Sequence, residues 1–262
     1  MLKRAIQSVI KQTLNPFEII VVDDGSIDGT QSWLAEKFPF VRCLYQNNSG
    51  VSRARNNGIK SAKGSWIALL DSDDEWLPDK LEQQVKLIRD IPEALFCHTN
   101  EIWIRNGVRV NQMKKHQKYG GDIFEKCLDM CRISPSSSII KKEIFDIVGL
   151  FDESLNICED YDLWLRITSK FSVSFLDQPL IIKYGGHSDQ LSKASGGIEI
   201  YRILSLEKIL NTVNLTKSQA FHARDMLIKK LKIYINGLKK RCRLEELKLA
   251  NQKIKYWSDW EA

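Results

Sequence analysis

The opening residues Leu2-Lys3-Arg4-Ala5-Ile6-Gln7-Ser8-Val9-Ile10 bring an apolar side chain round every three or four positions, the spacing of an amphipathic helix. The period then changes. A β-branched run, Ile19-Ile20-Val21-Val22, predicts a strand over 17–23 that ends in the polar turn Asp23-Asp24-Gly25-Ser26. A helix over 30–37 follows, with Thr30 suited to its N-cap. Strand 41–46, helix 51–61, strand 65–70, helix 78–90 and strand 94–98 continue the alternation, and Asn106-Gly107 marks a hairpin. Strands alternating with helices build βαβ units, so the expected class is α/β, with a mostly parallel mixed sheet flanked by helices. Lys114 to Gly121 is polar and ends on glycine, the mark of a loop. From Lys217 to Lys255 the helical period returns, and two amphipathic helices separated near Gly237 are expected.

Two predicted strands end in acids. Trp66-Ile67-Ala68-Leu69-Leu70 reads as a strand buried on both faces and runs into Asp71-Ser72-Asp73-Asp74-Glu75. Open α/β sheets bind ligands at the carboxyl ends of their strands, which is where these acids fall. Clustered carboxylates raise one another's pKa unless a cation neutralises them. Hard oxygen ligands of this kind suit Mg²⁺ or Mn²⁺, which take one or two carboxylates and complete their shell with water and phosphate. At the other strand end, Asp23 or Asp24 is placed to accept a hydrogen bond from a nucleotide base or ribose. The bland alternative for both is a βα loop with solvated acids.

The motifs Ile20-Val21-Val22-Asp23-Asp24-Gly25-Ser26 with Asp28-Gly29-Thr30, and Leu69-Leu70-Asp71-Ser72-Asp73-Asp74-Glu75-Trp76, resemble the two nucleotide-sugar motifs of family 2 glycosyltransferases. Gly50-Val51-Ser52-Arg53-Ala54-Arg55-Asn56-Asn57-Gly58 is similar to that family's Ala-Arg-Asn helix. Cys158-Glu159-Asp160-Tyr161-Asp162 is similar to its acceptor-side Glu-Asp motif. The resemblance covers roughly residues 2–195, with four motifs in order. It implies a GT-A fold and a metal-dependent transfer of sugar from a nucleoside-diphosphate sugar to an acceptor hydroxyl, with inversion. Carried over residue by residue, Asp73 and Asp71 would face the cation, with Asp71 also near the ribose, and Asp23 and Asp24 the nucleoside. Arg53 or Arg55 would reach the phosphates or base. Asp160 would be the general base, with Glu159 and Asp162 as neighbouring alternatives. His187, in the glycine-rich stretch after Leu180-Ile181-Ile182-Lys183, would be a metal or diphosphate contact; His98, His116 and His222 read as structural or surface residues.

Composition agrees with such an enzyme. The 262 residues are 43% hydrophobic, and no apolar run approaches the roughly 18 residues of a membrane span. No secretory signal is visible and the six cysteines show no paired framework, so reduced thiols and a cytoplasmic setting are expected. The net charge of +6 is concentrated in the last quarter, at Lys229-Lys230, Lys232, Lys239-Lys240-Arg241 and Arg243. Residues 1–196 are taken as the catalytic domain and 197–262 as a helical extension. The extension reads as a solvated appendage or as a basic surface for anionic lipid at the inner membrane face, since acceptors in the resembled family are often lipid-linked saccharides. No nucleic-acid-binding module is recognisable. Ser134-Pro135-Ser136-Ser137-Ser138 precedes a short strand and reads first as a plain turn, with hydroxyls offered to the site as the alternative.

One departure qualifies the match. Members of the family begin with a strand and a Pro-x-Tyr-Asn-like turn, whereas this sequence opens on what corresponds to the next helix. The missing strand belongs in mid-sheet, and its loss would leave neighbouring backbone unpaired. Coding sequence for about 8–15 further residues upstream of Met1, one strand and its turn, is therefore expected. Two other readings compete: an inactive nucleotide-sugar-binding remnant, and a sugar-1-phosphate nucleotidyltransferase, which would need a glycine-rich phosphate loop that residues 1–16 lack.

Overall fold

The computed structural model describes residues 1–186 and 197–260, and its first helix, α1 (Leu2–Ile10), packs against both of two separate sheets. The smaller sheet pairs β1 (Ile20–Asp24) in parallel with β2 (Arg42–Gln46) around α2 (Thr30–Lys37). Next come α3 (Val51–Ser61), β3 (Trp66–Ala68), β4 (Glu75–Trp76), α4 (Lys80–Asp90), β5 (Phe96–Arg105) and β6 (Val108–Val110). The chain continues through α5 (Phe124–Cys127), a 3₁₀ turn at Pro135–Ser137, β7 (Ile139–Lys141), α6 (Glu143–Val148), α7 (Glu159–Thr168) and β8 (Ser174–Gly185). The larger sheet runs β3-β7-β5-β8-β4 with β6 beside β5; β5 and β8 are parallel and its other pairs antiparallel.

Among the described residues β1 pairs only with β2, and β3 only with β7, so no ladder joins the two sheets. Helices bridge the division. In α1, Ile6 packs with Leu34 and Val41 beside the small sheet, while Val9 packs with Trp76, Leu81 and Ile181 beside the large one. α3 lies on β1 so closely that a Cβ at Gly58 would stand 3.3 Å from Val22. Most predicted elements keep their places with shifted ends. Strand 65–70 keeps its ladder only over Trp66–Ala68, because β7 is equally short, while strand 94–98 lengthens to Arg105. Asn106 and Gly107 take φ of 50° and 80°, both positive as the tight hairpin requires.

The C-terminal residues form α8 (Ile198–Thr212), α9 (Lys217–Lys240) and α10 (Leu244–Asp259). The expected break near Gly237 is absent. α9 continues through it because Ile235 and Leu238 bury against Ala250, which outweighs the roughly 1 kcal/mol that glycine costs a helix. The turn comes instead at Arg241–Arg243, with Cys242 at φ 53°. Ile203, Leu206, Leu227 and Trp257 of these helices share one core with Phe96, Ile140 and Trp164. α7 lies in that core and is apolar around most of its circumference, as a buried helix must be.

Lys80, at the start of α4, is fully buried with its Nζ 4.0 Å from the Trp76 ring centroid and no hydrogen-bond partner. Burial lowers its pKa to about 7. The unfolded chain therefore binds more protons between about 7 and the ordinary lysine value near 10.4, so this group's contribution to stability rises with pH across that window. Lys80→Met should accordingly stabilise the protein most below pH 7, with the advantage fading as pH climbs toward 10. Urea unfolding across this range checks it; a pH-independent difference would mean that the amine is not held neutral.

Candidate functional site

The acids after β3 are held by one serine. Ser136, fully buried in the 3₁₀ turn, accepts from the Asp71 N–H at 3.1 Å and donates to Asp74 Oδ2 at 2.6 Å, while its carbonyl accepts from Trp76 Nε1 at 2.8 Å. From the other side, Ser8 Oγ accepts from the Trp76 N–H at 3.1 Å, and Arg4 donates to the Asp73 carbonyl while lying over the Tyr184 ring. Residues 71–76 are thereby fixed between α1 and the turn.

The carboxylates differ in state. Burial tends to raise the Asp71 pKa, but Arg55 Nη2 at 2.7 Å outweighs it and holds the group below the usual carboxylate range. Among the described residues the hydrogen-bond partner of the Asp74 carboxyl is Ser136; burial pushes its pKa up to about 7, against the pull of Lys183 and with the push of Asp71. Asp73 is half-buried.

Arg55 is the junction of the site. Its Nη1 reaches Glu159 Oε1 at 2.5 Å, so one guanidinium joins α3, the loop after β3 and the start of α7. Arg53, two residues earlier, points about 200° away around the helix and is exposed. Of the two predicted arginines, the structure brings only Arg55 to the acids.

At the start of α7, Cys158 adopts a left-handed φ of 64° that presents Glu159 and Asp160 at the helix mouth. Glu159 is buried against Arg55, and burial with the neighbouring Asp160 charge raises its pKa. Asp160 is half-exposed; its Oδ1 accepts from the Tyr161 N–H at 2.6 Å and its Oδ2 from the Cys131 thiol at 3.2 Å. Burial and Asp160 hold that thiol protonated and able to donate. Asp162, the third candidate base, is 2% exposed and bonded to Arg166 at 2.7 Å and Lys208 at 3.0 Å. Arg166 in turn binds the carbonyls of Val148, Gly149 and Leu150 at the end of α6. Asp162 is a buried strut, its carboxylate spent on Arg166 and Lys208.

On the small sheet the two acids also separate. Asp24 is consumed by protein: Oδ1 accepts from Gln46 and the Ser49 N–H, and Oδ2 from the Gly50 N–H at 2.8 Å, closing the loop before α3. Asp23 is 4% exposed, with Oδ1 on the Ser26 N–H and Oδ2 without a partner. That orphaned oxygen leaves an acceptor for an outside donor.

Among the described residues no three His, Cys, Asp or Glu side chains form a ready-made metal cage. A cation of the Mg²⁺ or Mn²⁺ kind asks for less, since substrate phosphates and water fill most of its shell; Asp73, with Asp71 behind it, fits that demand. His187 lies outside the described residues. His98 is fully buried on the Tyr119 carbonyl at 2.8 Å, and burial lowers its pKa to about 3. The site role that the serine turn offers as its alternative is the one Ser136 takes, as the support of the acid loop; Glu101, Cys131 and Lys183 are missed by the sequence, where each is a single residue in an ordinary strand or loop.

The family model described as "Glycosyl transferase family 2" matches residues 1–149. An uncharacterized glycosyltransferase of Rickettsia felis is 34% identical over 178 residues, covering 67% of this chain and 29% of that protein. The Escherichia coli protein WfgD, named as a UDP-Glc:alpha-D-GlcNAc-diphosphoundecaprenol beta-1,3-glucosyltransferase, is 32% identical over 176 residues, 66% of each chain. Among solved structures, S. aureus TarS 1-349 in complex with UDP-GlcNAc superposes with a TM-score of 0.67 at 22% identity, over 88% of this chain and 67% of that one. The chain spans less than two thirds of the length of the first curated relatives it matches.

The Asp162 assignment has a direct check. Asp162→Asn removes the buried partner of Arg166 and should lower stability by about 3–5 kcal/mol in urea unfolding. Asp160→Asn, at the half-exposed helix mouth, should cost about 1 kcal/mol or less. Comparable losses would return Asp162 to the candidates for base.

Proposed function

The chain belongs to glycosyl transferase family 2, and we propose that it moves a sugar from a nucleoside-diphosphate sugar to a saccharide hydroxyl with inversion, assisted by Mg²⁺ or Mn²⁺. The family match displaces the nucleotidyltransferase reading and makes the chain a transferase. The observation that carries the rest is Asp160: a carboxylate at a helix mouth, half-exposed, with each oxygen steered by one donor and beside the Arg55 junction.

In this reading Asp23 Oδ2 takes the donor's base N–H, the one bond that buried oxygen lacks. Asp24 shapes the loop around the nucleoside. Arg55 keeps Asp71 ionised and the two halves of the cleft in register. Asp73 and Asp71 would hold the cation, which when bound would supply charge neutralisation for the leaving diphosphate. Asp160 receives the proton of the acceptor hydroxyl as its oxygen forms the new bond to the anomeric carbon. The bond from that carbon to the diphosphate oxygen breaks on the opposite face, which inverts the centre. Glu159 is occupied by Arg55 and acts by positioning. The UDP-GlcNAc and UDP in the TarS complexes support a uridine diphosphate donor, and the name of WfgD supports a polysaccharide or glycolipid precursor as acceptor.

A lipid-linked acceptor would bring residues 197–262 to an anionic, cytoplasmic-face membrane. In support, Lys229, Lys232, Lys239 and Lys240 of α9 are exposed together with Ile233, and Lys248 and Lys255 of α10 with Leu244, Leu249 and Tyr256. No helix of the described residues is long and apolar enough to cross a membrane. The catalytic work is assigned to residues 1–196.

Two variants test the assignments. Asp73→Asn should abolish the metal-dependent part of UDP binding in calorimetry while leaving the melting temperature near that of the parent; unchanged UDP–Mn²⁺ affinity would remove Asp73 from the cation site. Asp160→Asn should cut turnover by roughly 10²–10⁴ with donor affinity little altered. Near-normal turnover would pass the role of base to Glu159. A parent chain that binds UDP without any turnover would favour the remnant reading.

A further inference from the structure

Beside the acids lies a second polar group that the mechanism above does not use. The β5–β8 ladder pairs Trp103 with Lys183 and Glu101 with Ile181, so Glu101, Trp103 and Lys183 rise from one face of the sheet. Glu101 is almost wholly buried and saturated: Oε1 accepts from Trp103 Nε1 at 2.7 Å, and Oε2 from Ser134 Oγ at 2.7 Å with Lys118 Nζ at 3.1 Å. Burial opposes its charge, yet Lys118 and Lys183 lower its pKa to about 2. The carboxylate is a fixed anchor.

That anchor sets two groups in place. The indole spends its single polar hydrogen on Glu101, so what it leaves exposed is hydrocarbon. His116 meets the ring edge-on at 4.9 Å between centroids and holds it from one side, and the ring stays half-buried. Lys183 donates one N–H to Ser134 Oγ at 3.1 Å. Burial works against its ammonium, but Glu101, Asp74, Asp71 and Asp160 outweigh burial and keep it charged. Its remaining N–H bonds therefore stand among the same carboxylates that form the candidate active site. Ser134 and Ser136 are in the same turn, so the patch and the acid loop are held by one piece of backbone.

An apolar ring face bordered by a fixed ammonium and a half-exposed carboxylate is complementary to a pyranose. A sugar ring has a C–H face that stacks on aromatic carbon and a rim of hydroxyls that seek charged partners. Asp160, assigned above to the acceptor hydroxyl, is one of the carboxylates that act on the Lys183 ammonium, which puts this patch on the acceptor's side of the site. We propose that Trp103 and Lys183 form the subsite that receives a pyranose ring of the acceptor saccharide, with Trp103 under its C–H face and Lys183 on a hydroxyl. The inference rests on the glycosyl-transfer reading and deepens it.

The probe is a set of lipid-free methyl glycosides of glucose, galactose and N-acetylglucosamine, added at millimolar concentration to the full chain with UDP and Mg²⁺. Saturation-transfer NMR should show contact to at least one of them, strongest at the C–H protons of one ring face. Trp103→Ala should abolish that contact, Trp103→Phe should keep most of it, and Lys183→Met should weaken it by roughly tenfold. UDP affinity by calorimetry should stay within about twofold in the two Trp103 variants, since Trp103 touches neither the nucleoside end nor the acids that would hold the cation. Undiminished contact in Trp103→Ala overturns the subsite, as does failure of every glycoside to bind the parent chain. Loss of UDP and glycoside binding together in Trp103→Ala also overturns it, by making the residue a structural prop. A parent chain that does not bind UDP at all fails at the earlier step, and the transfer reading falls with this one.

Discussion

The candidate site depends on Ser136. Its hydroxyl accepts from the Asp71 backbone and donates to Asp74, and its carbonyl takes the Trp76 indole, so three of the six residues from 71 to 76 hang on one amino acid. β3 is only three residues long and could not hold that loop by its ladder. A buried hydroxyl with both functions satisfied is worth more inside than in water, and costs more if left half-made. The price of this rigidity is small because the turn is built from Ser134 to Ser138, whose hydroxyls also close the turn upon itself through the Ser134 and Pro135 carbonyls. The turn thus carries the acid loop on one side and, through Ser134 and Glu101, the β5 face on the other.

Charge is arranged to keep neighbouring carboxylates in different states. Asp71 is ionised by Arg55, Glu101 by Lys118, and Asp162 is matched by Arg166 and Lys208. Asp74 lacks a cation in contact and is the one whose pKa climbs to about 7. Four acids placed within a short stretch would repel one another if all were ionised and unpaired. The cations that relieve them come from α3, the loop after β6, α7 and α8, distant in sequence, so the electrostatics of the cleft depend on the whole domain having closed around it.

The order of elements was legible because it rests on local periodicity: the run at Ile19–Val22, the alternation through Asp90 and the Asn106-Gly107 turn each declare themselves within a few residues. The four motifs were legible for the same reason. What the chain did not declare is long-range. Nothing near Asp162 distinguishes it from Asp160; the difference is that Arg166 and Lys208 stand on its side of α7. Asp23 and Asp24 are adjacent and chemically alike, yet the loop before α3 claims both oxygens of one and leaves an oxygen of the other unpaired. Gly237 looks like a helix stop until Ala250 of α10 packs beside it. Lys183 is one lysine in a strand until β5 supplies its surroundings.

The divided sheet gives Arg55 a second meaning. The small sheet holds Asp23 and the loop closed by Asp24, and the large sheet carries the acid loop and Asp160, with no ladder joining β1 to β3. In the proposed reading, a donor gripped at its base by one and at its diphosphate by the other would be stretched across that seam. Productive geometry in such a reaction tolerates little misplacement, because reacting atoms must lie near van der Waals contact and in line. α1 and α3 bridge the seam by packing, which fixes distance but resists sliding weakly. Arg55 adds direction: it starts from the helix that lies on β1 and ends, through two short charged bonds, on Asp71 of the large sheet and Glu159 of α7. Only 12% of its side chain is exposed, so these bonds are poorly screened by salt. The residue that the motif offers as a phosphate ligand is, in this architecture, first the tie that sets the two halves of the cleft at a fixed separation.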